Sequence, residues 1–489
     1  MATIRNILIL TFGSVASQIT ILVLGILLAR SFSAADYGSY QQLLLVSTLA
    51  TLLFSVALPA SLLYFVPTLP SDDERAAFLW RTVGLLGAAG GLAACCLVLA
   101  RGVLAEAFNN PALAGLAPAF APSVMATVGV SYFVSAAIAL GRSRLAAGFS
   151  LASSLVTFAF VGGTAWLRPE LSALILSWSA AGMLMWLASL ALIAKLIGLP
   201  GRRGSTVALS EQLRYALPLG LTSIVGTLSW QCDKLLVGTG VDPATYAVYV
   251  VGATEVPFIA ALSGAVNNVL TPEFAKLHRQ GDTAGILSRW HAAMGGLSLV
   301  YFPLFVYLML AAGTLIPLVF SAQYTESVSL FRIYLLLMPL RIATYGLIFQ
   351  ATGRTHFNLA GSVMYLVANV FLTGAGLYVW GLPGAATGSV LATLVLIGYY
   401  LILLRRELAV SFSALVPWRL LLGNALPAAL AGMITWAVLR SWSALAGLVE
   451  IGVSLALFGT TYLLLASALG RLQLANLPRI LTAGPERSS

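Results

Sequence analysis

The sequence predicts an all-α, polytopic membrane protein of about fourteen transmembrane helices, and three observations predict it. Of 489 residues, 60% are hydrophobic and only 9% are charged, against about 25% charged in soluble domains. Apolar runs recur along the whole chain, each long enough to cross a hydrocarbon core about 30 Å thick as a helix. The runs do not alternate apolar with polar residues, as the strands of a transmembrane barrel do.

Taken in order, spans are expected at 7–29, 39–65, 80–100, 116–140, 145–167, 171–194, 214–237, 244–269, 290–312, 328–351, 360–381, 385–404, 420–440 and 447–469. The first is too long for a signal-peptide core and more spans follow, so it reads as retained. An even number of spans puts both termini on one side. Of the 26 Lys and Arg residues, nineteen fall on that side and four (Arg30, Arg101, Arg168 and Arg440) on the other. The positive-inside rule makes that side cytoplasmic. The formal charge of +10 is therefore a topology signal and not a nucleic-acid footprint.

Two short patterns repeat at nearly one spacing. Asp36-Tyr37-Gly38-Ser39-Tyr40 follows span 1, and Thr245-Tyr246-Ala247-Val248-Tyr249 follows span 7. Ala139-Leu140-Gly141-Arg142 ends span 4, and Ala351-Thr352-Gly353-Arg354 ends span 10. The repeats predict an N-terminal lobe over 1–200, a C-terminal lobe over 201–410, and a terminal helix pair with a cytoplasmic tail over 411–489. The Gly/Pro-rich, basic stretch Gly198–Ser205 reads as the linker between lobes. Six spans per lobe is even, so the lobes form a parallel repeat about an axis along the membrane normal. A substrate site is then expected between them.

Charges inside such spans are costly, about 2.5–3.5 kcal/mol each on insertion scales, and normally face a partner or a watery cavity. Arg341, near mid-depth of span 10, carries a permanent charge and a planar fork of donors suited to phosphate oxygens. Two readings stand for it, a cavity cation or a structural ion pair with Glu255 or Asp233. Asp233 and Lys234 are sequence neighbours, pointing about 100° apart on a helix. Lys234 is either a cavity cation or a side chain snorkelling outward, while the shorter Asp233 needs a fixed partner. Glu255, inside span 8, is a candidate proton carrier or a structural acid. Arg30 and Arg332, at span ends, read as interfacial anchors or as cations at a cavity mouth. Pro257 and Pro339 adjoin these charges and are candidate hinges.

Cys95, Cys96 and Cys232 have no metal-ligand spacing and read as packing residues, and His278, His291 and His356 fall in loops. No Walker loop, HExxH or nucleophile elbow occurs. No cofactor, metal or catalytic residue is expected, and a gradient or downhill process is implied.

Several stretches carry a resemblance. They are Ala29-Arg30-Ser31-Phe32-Ser33-Ala34-Ala35-Asp36-Tyr37-Gly38, Asp233-Lys234-Leu235-Leu236-Val237-Gly238, Tyr246-Ala247-Val248-Tyr249, Glu255-Val256-Pro257-Phe258-Ile259 and Val269-Leu270-Thr271-Pro272-Glu273-Phe274. With the topology, they resemble Wzx-type polysaccharide flippases of the multidrug/oligosaccharidyl-lipid/polysaccharide exporter superfamily. The resemblance implies a cationic cavity between two lobes in a bacterial cytoplasmic membrane. It implies a cargo of oligosaccharide linked through pyrophosphate to a polyprenyl carrier, with membrane lipids and polymerase or export proteins of the same pathway as partners. Spans 13 and 14 would line the groove for the lipid tail. Relatives that flip the peptidoglycan precursor carry several charges in the first lobe, where this chain has only Arg30 near a span end. That identity is therefore disfavoured. The competing expectations are a cation-coupled multidrug antiporter of the same superfamily and a membrane enzyme of polysaccharide assembly.

Overall fold

Inside a bilayer every backbone N–H and C=O must be satisfied within the chain, so a sequence this apolar folds as helices. The computed structural model describes residues 2–199, 205–441 and 447–471. The middle of the expected linker, 200–204, and the expected tail beyond 471 lie outside the described residues. Among the described residues there is no strand. In chain order the helices are α1 Ala2–Ser31, α2 Ala34–Ser55, α3 Leu58–Phe65, α4 Asp72–Leu99, α5 Arg101–Ala107, α6 Ala112–Val130 and α7 Tyr132–Ala139. They continue as α8 Ser143–Thr157, α9 Gly163–Leu167, α10 Leu171–Ile197, α11 Leu209–Gly240, α12 Pro243–Gly252, α13 Pro257–Arg279 and α14 Thr283–Phe320. The last are α15 Ser327–Leu335, α16 Leu337–Leu340, α17 Leu347–Ala351, α18 His356–Leu408, α19 Phe412–Leu415, α20 Trp418–Ser441 and α21 Gly447–Ala468.

Among the described residues, nine helices are long and apolar enough to cross a membrane, or ten if α2 and α3, bent by 46°, count as one span. The 53-residue α18 holds two of the expected spans, folded at Gly381, whose φ of 65° favours glycine. α11 is not among the nine; its uncharged middle, 215–232, carries Pro218, Gly220, Thr222, Ser223, Gly226, Thr227, Ser229 and Gln231. The protein is a polytopic, all-α membrane protein.

Spans 8 and 10, expected as continuous helices, are both broken. α12 stops at Gly252, residues 254–256 are not helical, and α13 starts at Pro257. Proline suits a first helical position, where its missing N–H has no partner to lose, and it disfavours helix in the residue before it. Span 10 is divided into α15, α16 and α17, with residues 341–346 unwound after Pro339. The missing Pro339 N–H leaves the Leu335 carbonyl without its helical partner, where α15 gives way to α16.

The paired sequence patterns adopt paired conformations. Gly141 and Gly353 both take positive φ, 72° and 75°. Beyond each, the following arginine turns its N–H back on the preceding helix, Arg142 to the Ala137 carbonyl at 2.7 Å and Arg354 to the Phe349 carbonyl at 2.8 Å. Both are glycine-terminated helix ends that satisfy otherwise orphaned carbonyls.

Packing groups the chain into two units, 1–261 with 359–392, and 262–358 with 393–489. The first unit holds α11 and α12 together with α2 and α3, on which they pack. In the first unit the core is built from Phe78, Phe120, Tyr132 and Phe133 among α4, α6 and α7, with Tyr246 and Tyr249 of α12. In the second unit α14 is the central helix. Gly295 and Gly432 bring α14 and α20 close, and the Asn424 amide donates to the Gly295 carbonyl and the Ser298 hydroxyl. Tyr307 and Tyr462 tie α21 to α14 through carbonyls of Ile451 and Leu299.

Candidate functional site

In the first unit the charged residues sit on and around α11. Asp233 is buried, and the Tyr249 hydroxyl of α12 donates to its Oδ2 at 3.1 Å. A hydrogen bond to an ionised group offsets part of its desolvation cost. Lys234 is half-buried and points to a different side of α11. Glu255 lies in the unwound residues before Pro257 and is exposed, so its place is a helix break and not the interior of a continuous span. Arg30, at the last turn of α1, is exposed.

One turn before Asp233 lies a buried polar cluster that the sequence reading missed. The Asn369 amide donates to the Ser229 carbonyl at 3.1 Å, and the Thr373 hydroxyl donates to the Asn369 carbonyl oxygen at 2.6 Å. Ser389 donates to the same oxygen at 3.3 Å. Ser389 reaches Asn369 because α18 folds at Gly381 with close backbone contacts at Gly376, Gly384 and Gly388. The available signal was Asn369 and Thr373, one helical turn apart in an otherwise apolar run.

In the second unit Arg341 caps the C-terminus of α16 and opens the unwound segment 341–346. Its backbone N–H bonds the carbonyls of Leu337 and Met338, which leaves the half-buried guanidinium beside the break. A cation at the carbonyl end of a helix is favoured by the helix dipole. The Tyr301 hydroxyl of α14 lies 2.6 Å from the Ser263 hydroxyl of α13. The break borders a small open cleft lined by Asn267, Phe274, Trp290, Met294, Ile342 and Thr344, among others. The far end of the break is clasped by Asn358, whose amide donates to the Gly346 carbonyl at 3.2 Å, with the Tyr400 ring beside it. Arg354 pairs with Glu407 just below. Arg332 is exposed, and its Nε donates to the Met309 carbonyl at 3.2 Å.

The expected site residues thus divide by unit, with Asp233, Lys234, Glu255 and Arg30 in the first and Arg341 and Arg332 in the second. Pro257 and Pro339 each sit at a helix break, next to Glu255 and Arg341 respectively. Chemically, the arrangement supplies a permanent cation at an unwound point in a span, an apolar cleft beside it, and a buried acid held by a tyrosine.

A family model described as polysaccharide biosynthesis protein matches residues 27–329. No curated protein matches the chain. Among solved structures, the chain is similar to the lipid II flippase MurJ in an inward closed conformation. The two share 13% identity and a TM-score of 0.73, over 94% of this chain and 99% of that one. It is also similar to an inward-facing multidrug resistance MATE family transporter of the MOP superfamily, at 14% identity and a TM-score of 0.62, over 80% and 94%. A third is a MOP superfamily transporter from Pyrococcus furiosus described as having a binding pocket of reverse polarity. It matches at 13% identity and a TM-score of 0.56, over 83% and 96%. At these identities the likeness is one of fold.

Proposed function

This chain belongs to the polysaccharide biosynthesis protein family, and on that premise we propose that it is a flippase. Its cargo is a polyprenyl-pyrophosphate-linked oligosaccharide, a repeat unit of an O-antigen or exopolysaccharide, carried across a bacterial cytoplasmic membrane by alternating access. The observation that carries the reading is Arg341. A guanidinium held at an unwound point of an apolar span is an expensive feature for packing alone. It suits the phosphate oxygens of a diphosphate, which accept a planar fork of donors. Lys234, Arg30 and Arg332 are the further cations proposed along the route, and Pro257 and Pro339 the proposed hinges. Both termini are cytoplasmic in this proposal, and polymerase or export proteins of the same pathway are its partners. The proposed role is transport and not catalysis, and the likeness of fold to MurJ and to a MATE family transporter supports it.

Transfer is proposed to be coupled to an ion gradient, with Asp233 as the acid involved. Its burial and its Tyr249 bond support it over the exposed Glu255. The same buried carboxylate favours a second reading, a cation-coupled multidrug antiporter of the superfamily. Mass spectrometry of lipid-linked sugars in a deletion strain separates the two. A flippase leaves an undecorated lipid-linked repeat unit accumulating on the cytoplasmic side. An unchanged glycolipid pool, with altered efflux of organic cations, would select the antiporter.

A further inference from the structure

The junction between α18 and α20, within the second unit, gathers cations that the proposed transport route does not use. Arg405 and Arg406 lie in the last turn of α18, and Arg419 lies in the first turn of α20. All three are exposed. Glu407 is the only acid in the sequence between Glu326 and Glu450, and its carboxylate pairs with Arg354. The junction therefore carries a surplus of positive charge. A fourth cation is brought to α20 by the end of α21. Gly470 takes a positive φ of 65°, and the Arg471 N–H turns back to the Ala466 carbonyl at 2.8 Å, the helix ending also seen at Gly141 and Gly353. The Arg471 guanidinium lies against Gly423 in the second turn of α20, where a Cβ would overlap it.

The helix faces next to these cations are apolar and exposed. Ile402 lies one turn before Arg406 on α18. On α20, Trp418, Leu422 and Leu426 follow at four-residue spacing beside Arg419, and all three are exposed. The connection between the two helices is anchored through Leu415 and Val416, which are buried, and the Leu415 carbonyl lies 3.2 Å from His291 Nε2 on α14. Phe412 stays exposed, with the Arg405 guanidinium over its ring at 4.8 Å from the centroid. That contact holds the charge beside the ring. Exposed Trp418 at the end of a span suits the level of the lipid head groups.

We propose that this junction binds an anionic phospholipid, whose phosphate is taken by the arginines and whose acyl chains lie along Ile402, Leu422 and Leu426. Arginine presents a planar fork of donors that matches phosphate oxygens. Basic clusters just beyond a membrane span attract anionic lipid. A soluble anion needs only the cations. The exposed apolar residues in line with them on the same helices fit an amphiphile instead. The charge bias of the sequence assigns this end to the cytoplasmic leaflet. The site does not involve Arg341, and it requires that the chain span a membrane, not that it move a glycolipid.

The test uses the full-length protein in phosphatidylcholine nanodiscs, with Cys95, Cys96 and Cys232 replaced by alanine. A neutral fluorophore is attached at Ser413→Cys, an exposed position next to Phe412. Quenching is followed as nitroxide-labelled phosphatidylglycerol is added, or, in a matched series, nitroxide-labelled phosphatidylcholine. In the parent, phosphatidylglycerol should quench at a distinctly lower content than phosphatidylcholine. Arg406→Gln and Arg419→Gln should each reduce that preference by roughly fivefold, and raised salt should narrow it. Arg142→Gln, an exposed arginine of the first unit on the same side by the charge bias, should leave it unchanged. Equal quenching by the two lipids in the parent would overturn the site. So would an equal loss in Arg142→Gln and Arg406→Gln, which would assign the preference to diffuse charge. Since no glycolipid is present, the lipid site can fail while the flippase reading stands, and the reverse holds as well.

Discussion

A single buried carboxylate shows how closely this protein balances cost against use. Asp233 is taken out of water and given the Tyr249 hydroxyl as a fixed donor. Removing the donor with Tyr249→Phe should destabilise the folded protein by about 1.5–3 kcal/mol, the usual worth of a hydrogen bond to a charged group. A thermal-unfolding comparison in detergent checks this. Asp233→Asn should preserve folding better and instead abolish the ion dependence of transport. Asp242 presents the exposed counterpart. Its carboxyl is held below the usual range by the Thr245 side chain and by backbone N–H groups at the start of α12. A lowered value means that its stabilisation is present above the unfolded value near 3.9 and is lost as pH falls through the folded one. Asp242→Ala should cost about 1 kcal/mol at neutral pH, Asp242→Asn distinctly less, and the gap should close in acid.

At the scale of elements, the position of almost every helix was legible, because long apolar runs leave little alternative to helix. The interruptions were not. Spans 8 and 10 read as continuous because long apolar runs flank residues 253–256 and 341–346 on both sides, and only Pro257 and Pro339, beside the charges Glu255 and Arg341, hinted at the breaks. The cluster at Asn369 was hidden for another reason, since Ser389 meets it only after the chain doubles back at Gly381. Arg341, Asp233 and Lys234 were visible at once as charges in apolar surroundings. If the missing N–H of Pro339 is what separates α15 from α16, Pro339→Ala should join them across Leu336. Amide exchange at Leu336 and Leu337 should slow markedly and cargo transfer should fall. Unchanged exchange would show that the proline does not set this break.

Across the whole molecule, a chain of paired residue patterns holds a charge, Arg341, at a helix break. The paired residue patterns at Gly141 and Gly353 carry matching glycine-ended turns. The chain belongs to the polysaccharide biosynthesis protein family and shares its fold with the lipid II flippase MurJ and a MATE family transporter. The central claim is that Arg341 receives the diphosphate of a lipid-linked glycan, and it is tested most directly in proteoliposomes. There, transfer of a fluorescent polyprenyl-pyrophosphate glycan is followed for the parent, Arg341→Ala and Arg341→Lys, each confirmed folded and inserted. The account predicts transfer by the parent, a fall of about tenfold or more in Arg341→Ala, as expected for losing a charge-assisted pair, and partial recovery in Arg341→Lys. Parental rates in Arg341→Ala would contradict it.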